Sequence, residues 1–134
     1  MAPIKILLAE DDLDDREFFF DFLVHRKDIY IMPVAENGNA VIHSLENISN
    51  DSSLPDLIVL DQNMPVRNGL QTLCILKQHE RYTNIPVIIY STITDEKLRN
   101  ACSAMGASGV FVKPATKEGY DLMINDFLKI ITCS

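Results

Sequence analysis

The chain has 134 residues, 47% of them hydrophobic and 23% charged. That size fits one domain able to bury roughly two-thirds of its unfolded surface, and the composition excludes a disordered or collagen-like polymer. Nineteen acidic residues against twelve basic ones give a net charge of -7; with Lys and Arg scattered along the chain, direct nucleic-acid binding is not expected.

The beginning, Met1-Ala2-Pro3-Ile4-Lys5, leads directly into an apolar run with no basic leader or small-residue cleavage site, so no secretory signal is expected. No apolar run approaches the roughly 20 residues that span a bilayer. The expected address is the cytoplasm, with no membrane association. Short runs rich in Ile and Val then alternate with segments of helical period. The runs are Ile4 to Ala9, Ile29 to Ala35, Leu57 to Leu60, Pro86 to Tyr90 and Gly109 to Val112. Strands apolar nearly throughout have both faces covered, the pattern of a parallel sheet between helices.

The helical segments are Asp14 to Val24, Asn39 to Glu46, Gly69 to His79, Asp95 to Met105 and Lys117 to Ile131. On the first, Phe18, Phe19, Phe22 and Leu23 share one side of the helical wheel, Phe20 falls outside that stripe, and Asp14 and Asp15 suit the positive N-terminus. Thr94 or Asp95 caps the fourth, and Gly106 stops it. Between the second helix and third strand, Asn50-Asp51-Ser52-Ser53 reads as a loose polar loop. About twenty residues follow Lys113, enough for one last helix. A single domain over residues 1–134 with no output domain is therefore expected.

Cys74, Cys102 and Cys133 are odd in number and widely spaced, which indicates reduced thiols rather than bridges. His25, His43 and His79 lie on different helices, which argues against a zinc site.

In a parallel sheet the strand C-termini open on one edge, where ligands bind. Glu10, Asp11 and Asp12 follow the first strand, Asp61 ends the third, Ser91 and Thr92 follow the fourth, and Lys113 and Pro114 follow the fifth. Each cluster alone reads as an ordinary polar turn. Together they place carboxylates, hydroxyls and one lysine at the same edge. Crowded carboxylates must bind a proton, recruit a cation or sit beside a fixed positive charge. A hard divalent ion such as Mg²⁺ suits oxygen ligands and bridges to phosphate, Lys113 is a point charge for phosphate oxygens, and Ser91 is a hydroxyl donor to the same group. Asp61, directly after a buried run, is the best-placed nucleophile, and its attack on phosphorus would give an aspartyl phosphate.

The chain resembles a response regulator receiver domain, the phospho-accepting module of two-component signalling. The likeness runs from Ile6-Leu7-Leu8-Ala9-Glu10-Asp11-Asp12 through Leu60-Asp61-Gln62-Asn63-Met64-Pro65, Asn68-Gly69 and Pro86-Val87-Ile88-Ile89-Tyr90-Ser91 to Val112-Lys113-Pro114. The resemblance implies a flavodoxin-like (βα)5 fold, α/β, with a five-stranded parallel sheet of order 2-1-3-4-5 and helices on both faces. It implies Asp61 as phospho-acceptor, Asp11 and Asp61 as direct Mg²⁺ ligands, Glu10 acting mainly through water, and the backbone carbonyl of Asn63 completing the set. Lys113 would contact the phosphoryl group and Ser91 would be the switch hydroxyl. A cis peptide before Pro114 is a frequent feature of the family.

The sequence departs from the family pattern at Val110, where many receivers have an aromatic switch residue, at Thr92, larger than usual, and at Asn68, where Asp is frequent. Phe111 is expected on the opposite strand face from Val110. The segments Leu76-Lys77 to Pro86 and Ser91-Thr92-Ile93-Thr94 look most like the stand-alone receivers that accompany bacterial phytochrome-type kinases. The implied partners are a sensor histidine kinase or histidine phosphotransfer protein and a downstream protein effector, with the protein a monomer or homodimer. Phe20 is a candidate docking residue for the kinase helices. The alternatives are a non-phosphorylated adaptor and a haloacid-dehalogenase-like phosphatase. The phosphatase needs an acid and base two residues after the nucleophile, where this chain has Asn63. A receiver catalyses only its own phosphorylation and dephosphorylation, so an enzyme acting on a separate substrate is not expected.

Overall fold

The apolar runs become strands of one sheet; the central runs are buried on both faces, whereas the edge runs Ile29 to Ile31 and Gly109 to Val112 are only partly covered. In the computed structural model, which describes residues 2–132, the strands are β1 (Ile4–Ala9), β2 (Ile29–Ile31), β3 (Leu57–Asp61), β4 (Val87–Ser91) and β5 (Gly109–Val112). They form one parallel sheet in the order β2-β1-β3-β4-β5. The helices are α1 (Leu13–Leu23), α2 (Gly38–Glu46), α3 (Gly69–Gln78), α4 (Glu96–Ala104) and α5 (Lys117–Thr132). The flavodoxin-like arrangement expected from the sequence is the observed one.

Alternate side chains of the central strands feed two cores. Leu7, Ala9, Ile58, Leu60, Val87 and Ile89 meet the buried residues of α2, α3 and α4, including Val41, Leu73 and Cys102. Ile6, Leu8, Leu57, Val59, Ile88 and Tyr90 meet Phe19 and Leu23 of α1 and Tyr120, Ile124 and Phe127 of α5. Val110 packs with the first group and Phe111 with the second, where its ring meets Phe127 edge-on at 5.1 Å. The two residues thus take opposite faces of β5, as expected.

Several local details differ from expectation for identifiable reasons. The run expected as one strand from Ile29 to Ala35 is regular only to Ile31. Pro33 supplies no N–H for the ladder, yet the chain stays beside β1: Met32 and Ala35 donate to the carbonyls of Ile6 and Leu8. Phe18 is 46% exposed rather than in the core, and its ring stacks on Phe22 at 5.7 Å. The polar loop contains a short 3-10 turn, Asp51–Ser53, capped by Asn50. Among the described residues every peptide bond is trans, so the expected cis bond before Pro114 is not found.

Helix boundaries follow local capping chemistry. The Asp12 carboxylate accepts from Asp15 N–H, Asn37 accepts from Ala40 N–H, and Asp95 rather than Thr94 caps α4 by accepting from Leu98 N–H. Asn68 and Gln71 form a reciprocal capping box on α3. Beyond α4, Gly106 takes φ +95°, the left-handed conformation that ends a helix at little steric cost. His25 and His79 lie at helix ends and His43 is exposed on α2; Cys74 and Cys102 are free thiols, and Cys133 lies outside the described residues.

Candidate functional site

At the C-terminal edge of the sheet, four strands deliver the polar residues expected there. Pairing of β1 with β3 aligns Ala9 with Leu60, so Glu10 and Asp61 emerge side by side. Pairing of β3 with β4 aligns Asp61 with Tyr90, which places Ser91 at the same edge, and the N–H of Lys113 donates to the Ser91 carbonyl at 2.9 Å. Glu10, Asp61 and Ser91 are buried, whereas Asp11 is exposed at the mouth.

The Lys113 side chain reaches across this edge. Its Nζ lies 2.8 Å from Asp15 Oδ2, 2.9 Å from Glu10 Oε1 and 3.1 Å from Asp61 Oδ2. Glu10 Oε1 also accepts the Tyr90 hydroxyl at 2.6 Å, and the ammonium sits 5.0 Å from the centre of the Tyr90 ring. The N–H of Asn63 donates to Asp61 Oδ1 at 3.1 Å, and the Asn63 side-chain amide approaches Ser91 Oγ at 3.5 Å. The loop after β3 is drawn tightly over the strand end: Gly69 N–H donates to the Gln62 carbonyl, and a Cβ on Gly69 would sit 2.8 Å from the Asp61 carbonyl oxygen. That close approach is what requires glycine there.

The electrostatics follow from burial and crowding. Burial, and next the adjacent Glu10, push the Asp61 carboxyl from its ordinary 3.8 up to about 7, against the pull of Lys113. Burial also pushes Glu10 upward, but hydrogen bonds involving Asp61, Tyr90 and Lys113 outweigh it and hold Glu10 below the usual carboxylate range. Burial disfavours the Lys113 ammonium, yet Asp15, Glu10 and Asp61 keep it firmly charged. The Tyr90 hydroxyl is held far from ionisation, first by burial and then by the Glu10 charge.

Glu10, Asp11 and Asp61 each offer a carboxylate oxygen, and these oxygens lie within 4.8 Å of one another. Two buried carboxylates and one exposed one, all oxygen donors, fit a hard divalent cation and do not suit a soft thiophilic metal. The structure thus gathers Glu10, Asp11, Asp61, Lys113, Ser91 and Asn63 at one edge.

Two further residues join the site without being evident from the strand-end pattern. Asp15 has an ordinary helix-end explanation, but its place in the first turn of α1 puts it within reach of Lys113. Tyr90 sits inside an apolar run, and its hydroxyl is the available signal, because a buried tyrosine normally finds a hydrogen-bond partner. Phe20, the candidate docking residue, is 39% exposed.

The family model described as the response regulator receiver domain matches residues 6–125. A protein-glutamate methylesterase/protein-glutamine glutaminase from Geobacillus kaustophilus (strain HTA426) is 32% identical over 91% of this chain, and the match spans 33% of that protein's length. Among solved structures, the Mn²⁺-bound form of response regulator Rcp1 is similar at 26% identity and TM-score 0.75, covering 90% of this chain and 88% of that one. The chemotaxis response regulator CheY4 of Vibrio cholerae shares the fold at 22% identity and TM-score 0.78, covering 92% of this chain and 98% of that one. With the family match extending over nearly the whole sheet and every strand-end cluster, this chain belongs to the response regulator receiver domains of two-component signalling.

Proposed function

We propose that Asp61 accepts a phosphoryl group from a phosphohistidine on a sensor histidine kinase or histidine phosphotransfer protein. An Asp61 carboxylate oxygen forms the new bond to phosphorus, the bond from phosphorus to the histidine nitrogen breaks, and the imidazole leaves with that electron pair. The observation that carries this reading is the contact of Lys113 Nζ with both Asp61 and Glu10 in a pocket that also holds Asp11. A fixed cation, together with carboxylates placed to recruit a second one, suits a group carrying three phosphoryl oxygens.

Mg²⁺ is the proposed cofactor, held by Glu10, Asp11, Asp61 and the backbone carbonyl of Asn63. It supplies neutralisation of the charge on the phosphoryl oxygens. Lys113 would bind those oxygens as a fixed cation, and the Ser91 hydroxyl would donate to one of them. Drawing Ser91 inward biases the loop after β4 and the neighbouring α4 surface, the signal read by a protein effector. The cytoplasm is the proposed location. Among the described residues no helix is long and apolar enough to cross a membrane. A kinase of the bacterial phytochrome type is the proposed donor class, from the sequence around Ser91-Thr92-Ile93-Thr94.

Incubation with acetyl phosphate and Mg²⁺, followed by intact-protein mass measurement, tests the reading. One phosphoryl group is expected on the parent and none on Asp61→Asn. Equal labelling of both proteins overturns the assignment of Asp61. Rapid phosphate release without a stable adduct supports the phosphatase alternative, and no reaction supports an adaptor.

A further inference from the structure

We propose that Tyr90 is a positioning residue of this site, whose hydroxyl commits one oxygen of Glu10 to the protein and leaves the other for the divalent cation. The proposal rests on the metal-dependent phospho-acceptor reading above. The geometry begins with Glu10, a fully buried carboxylate. Its Oε1 accepts from Tyr90 at 2.6 Å and meets Lys113 at 2.9 Å. Its Oε2 accepts from the Asp12 N–H at 3.2 Å. A carboxylate oxygen has two in-plane lone pairs. With Asp61 ionised, two donors fill those of Oε1, while Oε2 retains one for a metal or a metal-bound water.

Lys113 alone is a poor anchor for this orientation. The same ammonium serves Asp15, Glu10 and Asp61, and phosphoryl oxygens arriving at Asp61 compete for it. Tyr90 has no such alternative. Its ring is fully buried, meets Phe19 edge-on at 6.3 Å and is itself aligned in the sheet opposite Asp61. An aromatic hydroxyl on a ring so confined has one place to donate. Bonds from neutral donors to a buried carboxylate are short and strong, so the Glu10 orientation survives when Lys113 shifts toward phosphate. The face of the Tyr90 ring lies 5.0 Å from the ammonium and favours its charge there.

A tyrosine that only stabilised the fold would leave metal affinity untouched when its hydroxyl is removed. Partners that orient a metal ligand have a larger effect, typically tenfold or more in affinity. The test is Tyr90→Phe, which keeps the ring contacts and deletes the hydroxyl. Mg²⁺ binding is measured by calorimetry, alongside acetyl phosphate labelling over a range of Mg²⁺ concentrations. The expected result is about a tenfold loss of Mg²⁺ affinity. The half-saturating Mg²⁺ concentration for labelling should rise by the same factor, with a far smaller fall in maximal rate.

Tyr90→Phe binding Mg²⁺ as tightly as the parent, with only thermal stability reduced, overturns the proposal while the functional reading stands. A parent that shows no saturable Mg²⁺ binding overturns both. Should Tyr90→Phe not fold, Phe19→Leu keeps the hydroxyl and loosens the ring. Weakened Mg²⁺ binding there supports the proposal, and parent-like binding overturns it.

Discussion

Replacing Asp61 by Asn removes a buried charge while nearly preserving shape, and the structure fixes the sign of the effect on stability. Asp61 is 2% exposed, and its carboxyl is raised from 3.8 to about 7. A shift of about 3 pH units corresponds to roughly 4 kcal/mol of unfavourable ionisation in the folded protein. Asn escapes that cost, from which the attraction of Lys113 is already subtracted. Without added metal and in the presence of chelator, Asp61→Asn should therefore be more stable than the parent by up to roughly 4 kcal/mol at pH 8, or roughly 12 °C in melting temperature.

The pH dependence is more diagnostic than the offset. Because the folded-state value is raised, the folded parent keeps its Asp61 proton between about pH 4 and 7 while the unfolded chain has already released it. The parent's stability contribution from this group thus falls as pH rises through that window. The gain from Asn should be largest above pH 7 and shrink toward pH 4. Glu10 acts in the opposite sense, since its lowered value adds stability as pH rises through 4.5, but that change is complete at the acid end of the window. Urea denaturation from pH 5 to 8 measures the difference. A gain that is absent, negative or constant with pH would refute the reasoning.

Two further substitutions probe the neighbouring loop and the exposed face of α1. Val66 is 74% exposed with φ 69°, a conformation unfavourable for a β-branched residue, and Arg67 N–H donates to the Pro65 carbonyl at 2.7 Å around it. Val66→Gly should raise the stability by about 1 kcal/mol after allowing for the added freedom of the unfolded chain, as read from the urea midpoint; an unchanged or lower midpoint refutes stored strain. Phe20→Ala should slow phosphotransfer from a histidine kinase that phosphorylates the parent, by about tenfold if Phe20 acts as an interface anchor, with acetyl phosphate labelling unchanged. Equal transfer rates exclude it as a docking residue.

The strands were legible because a strand buried on both faces is written as an unbroken apolar run, and Leu57 to Leu60 is buried throughout. Legibility failed where a single residue carries two tendencies. Pro33 lies in a run that hugs β1 but cannot donate to its ladder. Phe18 has the right spacing for the core stripe, yet the burial available on α1 goes to Phe19 and Leu23, leaving Phe18 to stack on Phe22 at the rim. The site residues Glu10, Asp61, Ser91 and Lys113 were readable because strand ends in a parallel sheet converge. Asp15 and Tyr90 were not, because each reaches the site by its side chain from a position that has an adequate local explanation.

Those two residues change how the charge in the pocket is understood. Lys113 is shared among Glu10, Asp15 and Asp61, and Asp11 stands close to two of these carboxylates. One ammonium cannot neutralise this group, and desolvation makes the excess charge costly. The Tyr90 hydroxyl compensates Glu10 without adding charge, and Asp15 draws Lys113 away from exclusive pairing with Asp61. The remaining imbalance therefore falls on Asp61, whose carboxyl is the one raised to about 7. Below about pH 7 a cation at these oxygens competes with a proton for the same carboxylate that serves as the proposed acceptor. Ionisation of the nucleophile and occupancy of the metal site are thereby linked in one equilibrium. The arrangement around Lys113 is a means of concentrating that linkage on Asp61 instead of dispersing it over four carboxylates.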